Sequence, residues 1–200
     1  MASDRTVRRF LRGWRKRYPF PVEWVDDRAN KQLRRAEDAW MAQFAGATAL
    51  KRRQVAAVVA WHGASPFGLG AGGVDVDTPA HVRRCVRAAL AANGADEALE
   101  RLVGAGGVAG WEPSLASAVL AACRPDLYAV GDKGTLRALE ALGLLVRRDH
   151  HAALGPLDWW PYQRECRRLA EVSDLSLRQV AQALRAGSDR APALPTAPMR

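Results

Sequence analysis

Hydrophobic residues recur at helical spacing in almost every periodic segment of this chain. Residues 28–44 are one example, because their apolar side chains fall on one helical face: Leu33, Ala36, Trp40, Met41 and Phe44. The charged residues of that segment, Glu37 among them, are expected to point away from this face. No segment has the sustained alternation of apolar and polar residues that marks a half-buried strand. The sequence therefore predicts an all-α protein.

The composition predicts a folded and basic chain. Of its 200 residues, 48% are hydrophobic, which is enough for one compact helical domain or two small helical lobes. Thirty Lys and Arg residues against 21 Asp and Glu residues give a formal charge of +9. Such a charge favours a polyanionic partner, either nucleic acid or an acidic membrane surface. The apolar stretches are too short to cross a bilayer, so we expect a cytoplasmic protein. Its expected state is a monomer, with no membrane partner.

Cysteine and histidine are too sparse to form an obvious ligand set. Cys85, Cys123 and Cys166 are widely separated and odd in number, which is typical of reduced thiols in a cytosolic protein. No Cys-x-x-Cys motif occurs, and the adjacent pair His150-His151 has no partner at ligand spacing. The sequence therefore predicts no metal site and no cofactor.

Changes in composition divide the chain into three regions. Residues 1–27 are predicted to form a basic N-terminal arm or helix, and residues 28–186 a helical domain. Residues 187–200 are rich in Ala and Pro and poor in core-forming residues, so we expect a disordered tail. The glycine-rich break between residues 63 and 73 is expected to be a surface loop.

Several helix starts inside the domain have capping signals. Thr78-Pro79 combines an N-cap residue with proline at the first helical position. Ser176, with Gln179 three positions later, forms a capping box for the last helix. Asp158 is expected to be the N-cap of the helix that precedes this last one.

The N-terminal region has a dense cluster of cations: Arg5, Arg8, Arg9, Arg12, Arg15, Lys16 and Arg17. Phe10 and Trp14 lie between them. One interpretation is a basic helix that lies on phosphates, which would make binding strongly dependent on salt. The other interpretation is a solvated arm that only raises solubility. The sequence leaves both open.

The most informative stretch runs from Gly110 to Leu142. It begins with the turn Gly110-Trp111-Glu112, continues as a small-residue helix, and passes through a proline-containing loop to Asp132, directly before another helix. This order resembles the helix-hairpin-helix (HhH-GPD) DNA glycosylase superfamily. The resemblance implies a hairpin at about residues 104–123, a catalytic loop at 124–132 and double-stranded DNA as the partner. Because no four-cysteine motif is present, this would be a member without an iron–sulfur cluster.

The resemblance also implies roles for individual residues. Asp132 would be catalytic, because a carboxylate can stabilise the positive charge that develops on the sugar when an N-glycosidic bond breaks. Gly110 and Trp111 would belong to the turn that approaches DNA, in a degenerate hairpin with Glu112 in place of the second glycine. Ser114 lies eighteen residues before Asp132, where lyase members of the superfamily have a lysine. Lys133 is next to Asp132 and is a further candidate.

Each of these positions also has a purely structural interpretation. Asp132 can be simply the N-cap of the helix that follows it, and Trp111 can be core packing. Six aromatic residues are available for a base pocket: Trp40, Trp61, Trp159, Trp160, Tyr128 and Tyr162. Trp61-His62, at a helix end before a glycine-rich loop, is suggested as a wall of a cleft.

The expected function is that of a monofunctional DNA glycosylase, a base excision repair enzyme that hydrolyses the N-glycosidic bond of a damaged or mispaired base. The absence of a lysine at position 114 is the reason for expecting no strand cleavage. One alternative is a catalytically silent helix-hairpin-helix DNA-binding protein. Another alternative is a helical protein-interaction domain.

Overall fold

The computed structural model describes residues 3–18, 27–62, 78–146 and 154–188. Within these residues the chain forms nine helices and no strand, which confirms the all-α class. The helices are α1 (Asp4–Arg17), α2 (Asp27–Ala42), α3 (Arg52–His62), α4 (Pro79–Leu90), α5 (Ala95–Val103), α6 (Pro113–Cys123), α7 (Lys133–Ala141), α8 (Pro156–Ser173) and α9 (Leu177–Ala186). The predicted loop at 63–73, the pair His150-His151 and most of the predicted tail lie outside the described residues.

Local capping chemistry fixes most helix starts where the sequence indicates them. The Thr78 side chain accepts a hydrogen bond from the backbone N–H of His81 at the start of α4. Ser176 and Gln179 form the expected capping box of α9. The expectation for α8 was wrong by one turn, because the helix begins at Pro156 and Gly155 is its N-cap. Asp158 lies inside the first turn, where its carboxylate accepts a hydrogen bond from the backbone N–H of Gly155.

Helix α1 is packed into the protein through its apolar side. Val7 and Leu11 are fully buried and Phe10 nearly so, and the helix lies against α8 and α9. These residues are spaced three and four apart, so they form one stripe, while the cations occupy the rest of the helix surface. Residues 4–17 therefore form a helix that is part of the packed structure, with its cations outside the buried stripe.

Helix α2 is rotated from its predicted orientation. Met41 and Phe44 are buried as expected, but Leu33 is 43% exposed and Ala36 is also exposed. Glu37, which was expected to point away from the core, is instead only 14% exposed. The expectation failed because a carboxylate can face the interior when enough hydrogen-bond donors surround it.

Helix α6 lies at the centre of the described structure. Each of its residues from Leu115 to Cys123 is buried, and it contacts α3, α4 and α5. The small residues Ala116, Ser117 and Ala118 allow these close approaches, and a helix that is apolar around its whole circumference is expected in such a position. The first turn of α6 therefore has a fixed position relative to α3 and to the segment before α7.

All three cysteines are buried, and none forms a disulfide within the described residues. Burial raises the pKa of the Cys123 thiol, and that of the Cys166 thiol, to about 12. The thiolate, which is the reactive form, is therefore disfavoured at both positions at neutral pH.

In the described part of the chain, no helix combines the length and the apolar character that a membrane span requires.

Candidate active site

Asp132 is the N-cap of α7 and also faces a cleft. Its Oδ1 atom accepts a hydrogen bond of 2.8 Å from the backbone N–H of Thr135. The Thr135 hydroxyl in turn accepts one from the backbone N–H of Asp132, which completes a capping box. The Oδ2 atom lies 3.4 Å from Nε of Arg185, and the carboxylate side chain remains 18% exposed. The capping role thus uses one carboxylate oxygen, and the other is paired with Arg185, which lines the same cleft as Asp132.

The cleft encloses an empty volume of ≈ 420 Å³, which includes the mouth that opens to solvent, and its interior is narrow. Three aromatic side chains contribute to its walls: Tyr18, Trp61 and Tyr128. Four charged side chains also line it: Glu37, Asp132, Arg178 and Arg185. Trp61 had been suggested as a cleft wall from its place at the end of a helix. The site therefore combines flat apolar surfaces with two carboxylates and two cations.

Glu37 is the centre of a hydrogen-bond network that the sequence analysis missed. Its Oε1 accepts hydrogen bonds from the Tyr18 hydroxyl at 2.9 Å and from Trp61 Nε1 at 2.8 Å. Its Oε2 accepts one from Gln182 Nε2 at 3.0 Å and lies 3.1 Å from Nη2 of Arg178. A carboxylate that accepts from this many donors fixes the side chains around it.

One signal in the sequence could have identified Glu37. It lies four residues after Leu33 and four before Met41, so it interrupts an apolar stripe instead of facing the opposite side. No comparable signal exists for Arg178 or Arg185, because both lie on α9, far from Glu37 and Asp132 in the sequence.

Ser114 fixes the chain directly before Asp132. Its hydroxyl donates a 2.8 Å hydrogen bond to the carbonyl of Gly131, while the backbone N–H of Gly131 donates to the Ser117 hydroxyl at 2.9 Å. Two serines one turn apart on α6 therefore hold both polar backbone groups of Gly131. The structure brings Ser114 and Asp132 into one neighbourhood, but the Ser114 hydroxyl acts on the backbone.

His62 completes this arrangement from the end of α3. Its Nε2 lies 2.9 Å from the Ser114 hydroxyl oxygen, and because the serine proton is directed at Gly131, Nε2 is assigned as the donor. Burial lowers the pKa of His62, and Arg185 lowers it further, while the Asp132 carboxylate opposes both. Its Nδ1 atom is buried without a hydrogen-bond partner among the described residues. The sequence indicates His62 only as the neighbour of Trp61 at a helix end.

A glycine-rich turn joins α5 to α6 within the residues for which the resemblance implies a hairpin. Gly106 and Gly110 have φ angles of +84° and +75°, which glycine adopts without strain. Only 6% of Trp111 is exposed, and this favours core packing over contact with a base. Gly110 and Trp111 line a surface depression that is different from the Asp132 cleft.

Helix α4 holds the hairpin through two side chains. His81 Nε2 lies 2.9 Å from the carbonyl oxygen of Gly107, and the Cys85 thiol donates to the carbonyl of Gly106 at 3.6 Å. The position of this turn therefore depends on α4 as well as on its own glycines.

Lys133 lies at the first position of α7, where it is exposed. It is not among the residues that line the cleft, and the cation beside Asp132 is Arg185. The structure thus links Asp132 with Ser114 through Gly131, whereas Gly110, Trp111 and Lys133 are not among the residues that line the cleft. A comparison of the chain with protein-family models, with curated proteins and with solved structures finds no match.

Proposed function

We propose that this chain is a monofunctional DNA glycosylase that hydrolyses the N-glycosidic bond of a damaged or mispaired base. The observation that carries the proposal is the position of the two carboxylate oxygens of Asp132. One of its oxygens is fixed by the α7 backbone and the other lies 3.4 Å from Nε of Arg185, in a residue that lines a cleft with aromatic walls. Breaking an N-glycosidic bond develops positive charge on the sugar, and a carboxylate with a fixed position stabilises that charge at no cost of reorganisation.

Asp132 would act on the sugar and on the attacking water. As a carboxylate it stabilises the sugar cation that forms when the base leaves with the electron pair of the glycosidic bond. It then accepts a proton from the water that adds to the sugar, and the departed base gains a proton from solvent. Ser114, Ser117 and His62 would be positioning residues, because they hold the Gly131 backbone and not the reacting atoms. The Glu37 network would keep the Trp61 ring in the wall of the cleft.

A base can enter only when the cleft opens. Its interior is narrow, and the Arg185 side chain beside Asp132 is 47% exposed. A long side chain that is exposed to this degree can move into solvent at little cost, because its ion pair is screened. Arg185 would then exchange its contact with Asp132 for a DNA phosphate.

The expectation of base release without strand cleavage rests on the lysines. Cleavage of the sugar-phosphate backbone by a lyase requires an amine that forms a Schiff base with the sugar. The chain has four lysines, Lys16, Lys31, Lys51 and Lys133, and the one nearest in sequence to Asp132 is exposed outside the lining of the cleft.

Base release from labelled duplexes tests the proposal. The panel contains alkylated, deaminated, oxidised and mismatched bases, and strands are separated with and without hot alkali. Asp132→Asn keeps an oxygen that can cap α7 and removes the charge, so it should abolish release while the protein stays folded. Asp126→Asn is the matched control, because Asp126 lies in the same loop but is 68% exposed and outside the cleft lining.

Release that requires Asp132, tolerates Asp126→Asn and yields breaks only after alkali would support the proposal. The second candidate is a catalytically silent DNA-binding protein, which the narrow cleft and the existing Asp132–Arg185 pair favour. Duplex binding by the wild type, without release from any substrate of the panel, would establish that candidate instead.

A further inference from the structure

A wide basic groove separates the C-terminal half of α1 from α2. Its empty volume is ≈ 1630 Å³, and the turn after α8 closes one end with Ser173, Asp174 and Leu175. Six cationic side chains line it: Arg12, Arg15, Lys16, Lys31, Arg34 and Arg35. The acidic residues in the lining are Asp38 and Asp174. The groove therefore has a strong excess of positive charge.

Two of the six cations have structural roles. Arg34 donates a 2.8 Å hydrogen bond to the carbonyl oxygen of Tyr18 and another to that of Lys16, so it ties α2 to the end of α1. Arg12 donates to the carbonyl of Ser173 at 3.4 Å. These two arginines shape the groove.

The other four cations are available to a ligand. The side chains of Arg15, Lys16, Lys31 and Arg35 form no ion pair with an acidic residue anywhere in the described part of the chain. Asp38, the acidic residue of α2 that lines the groove, is already paired with Arg178 at 2.7 Å. Six cations with only Asp38 and Asp174 in the same lining leave an excess of like charges that repel one another. A polyanion that neutralises them gains affinity from the release of its counterions.

The packing of α1 favours nucleic acid over a membrane as the polyanion. A helix that binds an acidic bilayer buries an apolar face among the lipids. The apolar residues of α1 are already used, because Val7, Phe10 and Leu11 are buried within the protein. What α1 presents to the groove is basic, and this suits a phosphodiester backbone that is bound by charge alone.

The groove also adjoins the Asp132 cleft. Glu37 lines the cleft and its neighbour Asp38 lines the groove, so α2 forms a wall of each. Arg178 bridges these two carboxylates, at 3.1 Å from Glu37 and 2.7 Å from Asp38. A DNA strand in the groove would therefore pass one helix away from the proposed catalytic carboxylate.

We propose that the groove between α1 and α2 binds the phosphate backbone of duplex DNA and thereby holds the duplex beside the Asp132 cleft. This inference rests on the proposed function for its choice of duplex DNA. It assigns the main electrostatic interaction to α1 and α2 and not to the hairpin at Gly110.

The test measures binding of an undamaged labelled duplex by fluorescence anisotropy across a series of salt concentrations. The groove variant is Lys16→Gln/Lys31→Gln, which changes two exposed side chains. The control is Arg101→Gln/Arg164→Gln, because each of these arginines is more than half exposed and already lies beside a glutamate. Both variants remove two positive charges, and circular dichroism with thermal unfolding verifies that both are folded.

The wild type should bind the duplex, and the logarithm of its affinity should fall linearly with the logarithm of salt concentration. The groove variant should bind more weakly to every sequence, with a slope that is smaller by about 0.9 for each phosphate that the protein no longer neutralises. The control should keep the wild-type slope. A groove variant that binds with the wild-type slope and affinity would overturn the inference.

Two further measurements separate this inference from the proposed function. Base release dependent on Asp132, together with an unaffected groove variant, would refute the groove and leave the glycosylase proposal standing. Duplex binding that depends on the groove, without any base release, would support the groove and refute the glycosylase proposal. Binding to phosphatidylserine vesicles in preference to the duplex, abolished in the groove variant, would refute DNA as the occupant.

Discussion

The Oδ2 atom of Asp132 lies 3.4 Å from Nε of Arg185, so the carboxylate at the start of α7 is paired with a cation from α9. The two side chains are separated by more than fifty positions in the sequence, and the packing of α7 against α9 brings them together. Because Arg185 is nearly half exposed, solvent screens the pair and it adds little to stability. The capping bond from Thr135 is the stronger structural contribution of Asp132.

Two replacements of Asp132 should therefore distinguish the stability that comes from its capping hydrogen bond from the stability that comes from its charge. Asp132→Asn keeps an acceptor for the Thr135 N–H, and we expect it to lower the free energy of unfolding by less than about 1 kcal/mol. Asp132→Ala removes the acceptor and should cost about 1 kcal/mol more. Urea denaturation of the two variants measures the difference. Equal stabilities would contradict the capping role.

The Glu37 network should be a large contributor to stability. Glu37→Ala leaves Arg178, which is 15% exposed, with Asp38 as its remaining ion-pair partner, and it removes the acceptor of the Tyr18, Trp61 and Gln182 donors. Removal of one member of a buried pair costs about 3–5 kcal/mol. Glu97→Ala is the control, since its pair with Arg101 is exposed and should contribute below about 0.5 kcal/mol. Thermal unfolding compares them, and similar losses of stability would disprove the central role of Glu37.

His62 should make stability depend on pH. Burial lowers its pKa below the ordinary value of 6.5, so the unfolded chain takes up more protons than the folded protein as the pH falls below that value. The free energy of unfolding should therefore decrease on acidification and be fully restored above pH 6.5. His62→Gln keeps a donor for Ser114 and does not titrate. Denaturation at about pH 7.5 and about pH 5.5 should show a smaller loss of stability for this variant than for the wild type.

Gly131 should not tolerate a side chain. A Cβ atom there would lie 2.8 Å from Cδ2 of Leu154 and 2.9 Å from Cε1 of Tyr162, and Tyr162 is fully buried with its hydroxyl bonded to the carbonyl of Val130. Gly131→Ala should lower stability by about 1–3 kcal/mol through overpacking. At Gly13, inside α1, a Cβ atom meets nothing within 4 Å, so Gly13→Ala should stabilise by about 0.5–1 kcal/mol. Calorimetry of both variants checks these opposite signs.

The sequence was sufficient for the features that arise within a few residues. The all-α class follows from hydrophobic spacing, and the starts of α4 and α9 follow from Thr78-Pro79 and from Ser176 with Gln179. A cap is a contact between positions three residues apart, so the tertiary structure is not needed to identify it. Asp132 could be recognised as an N-cap for the same reason.

The tertiary structure decided which side chains meet in the cleft and in the groove. Arg185 reaches Asp132, and Arg178 reaches Glu37, only because α9 lies beside α7 and α2. The orientation of α2 likewise depended on donors from α1, α3 and α9, which made it favourable to turn Glu37 inward. Helical periodicity reports which residues can share a face, whereas the partner of that face is set by packing between distant segments, which leaves no local trace in the sequence.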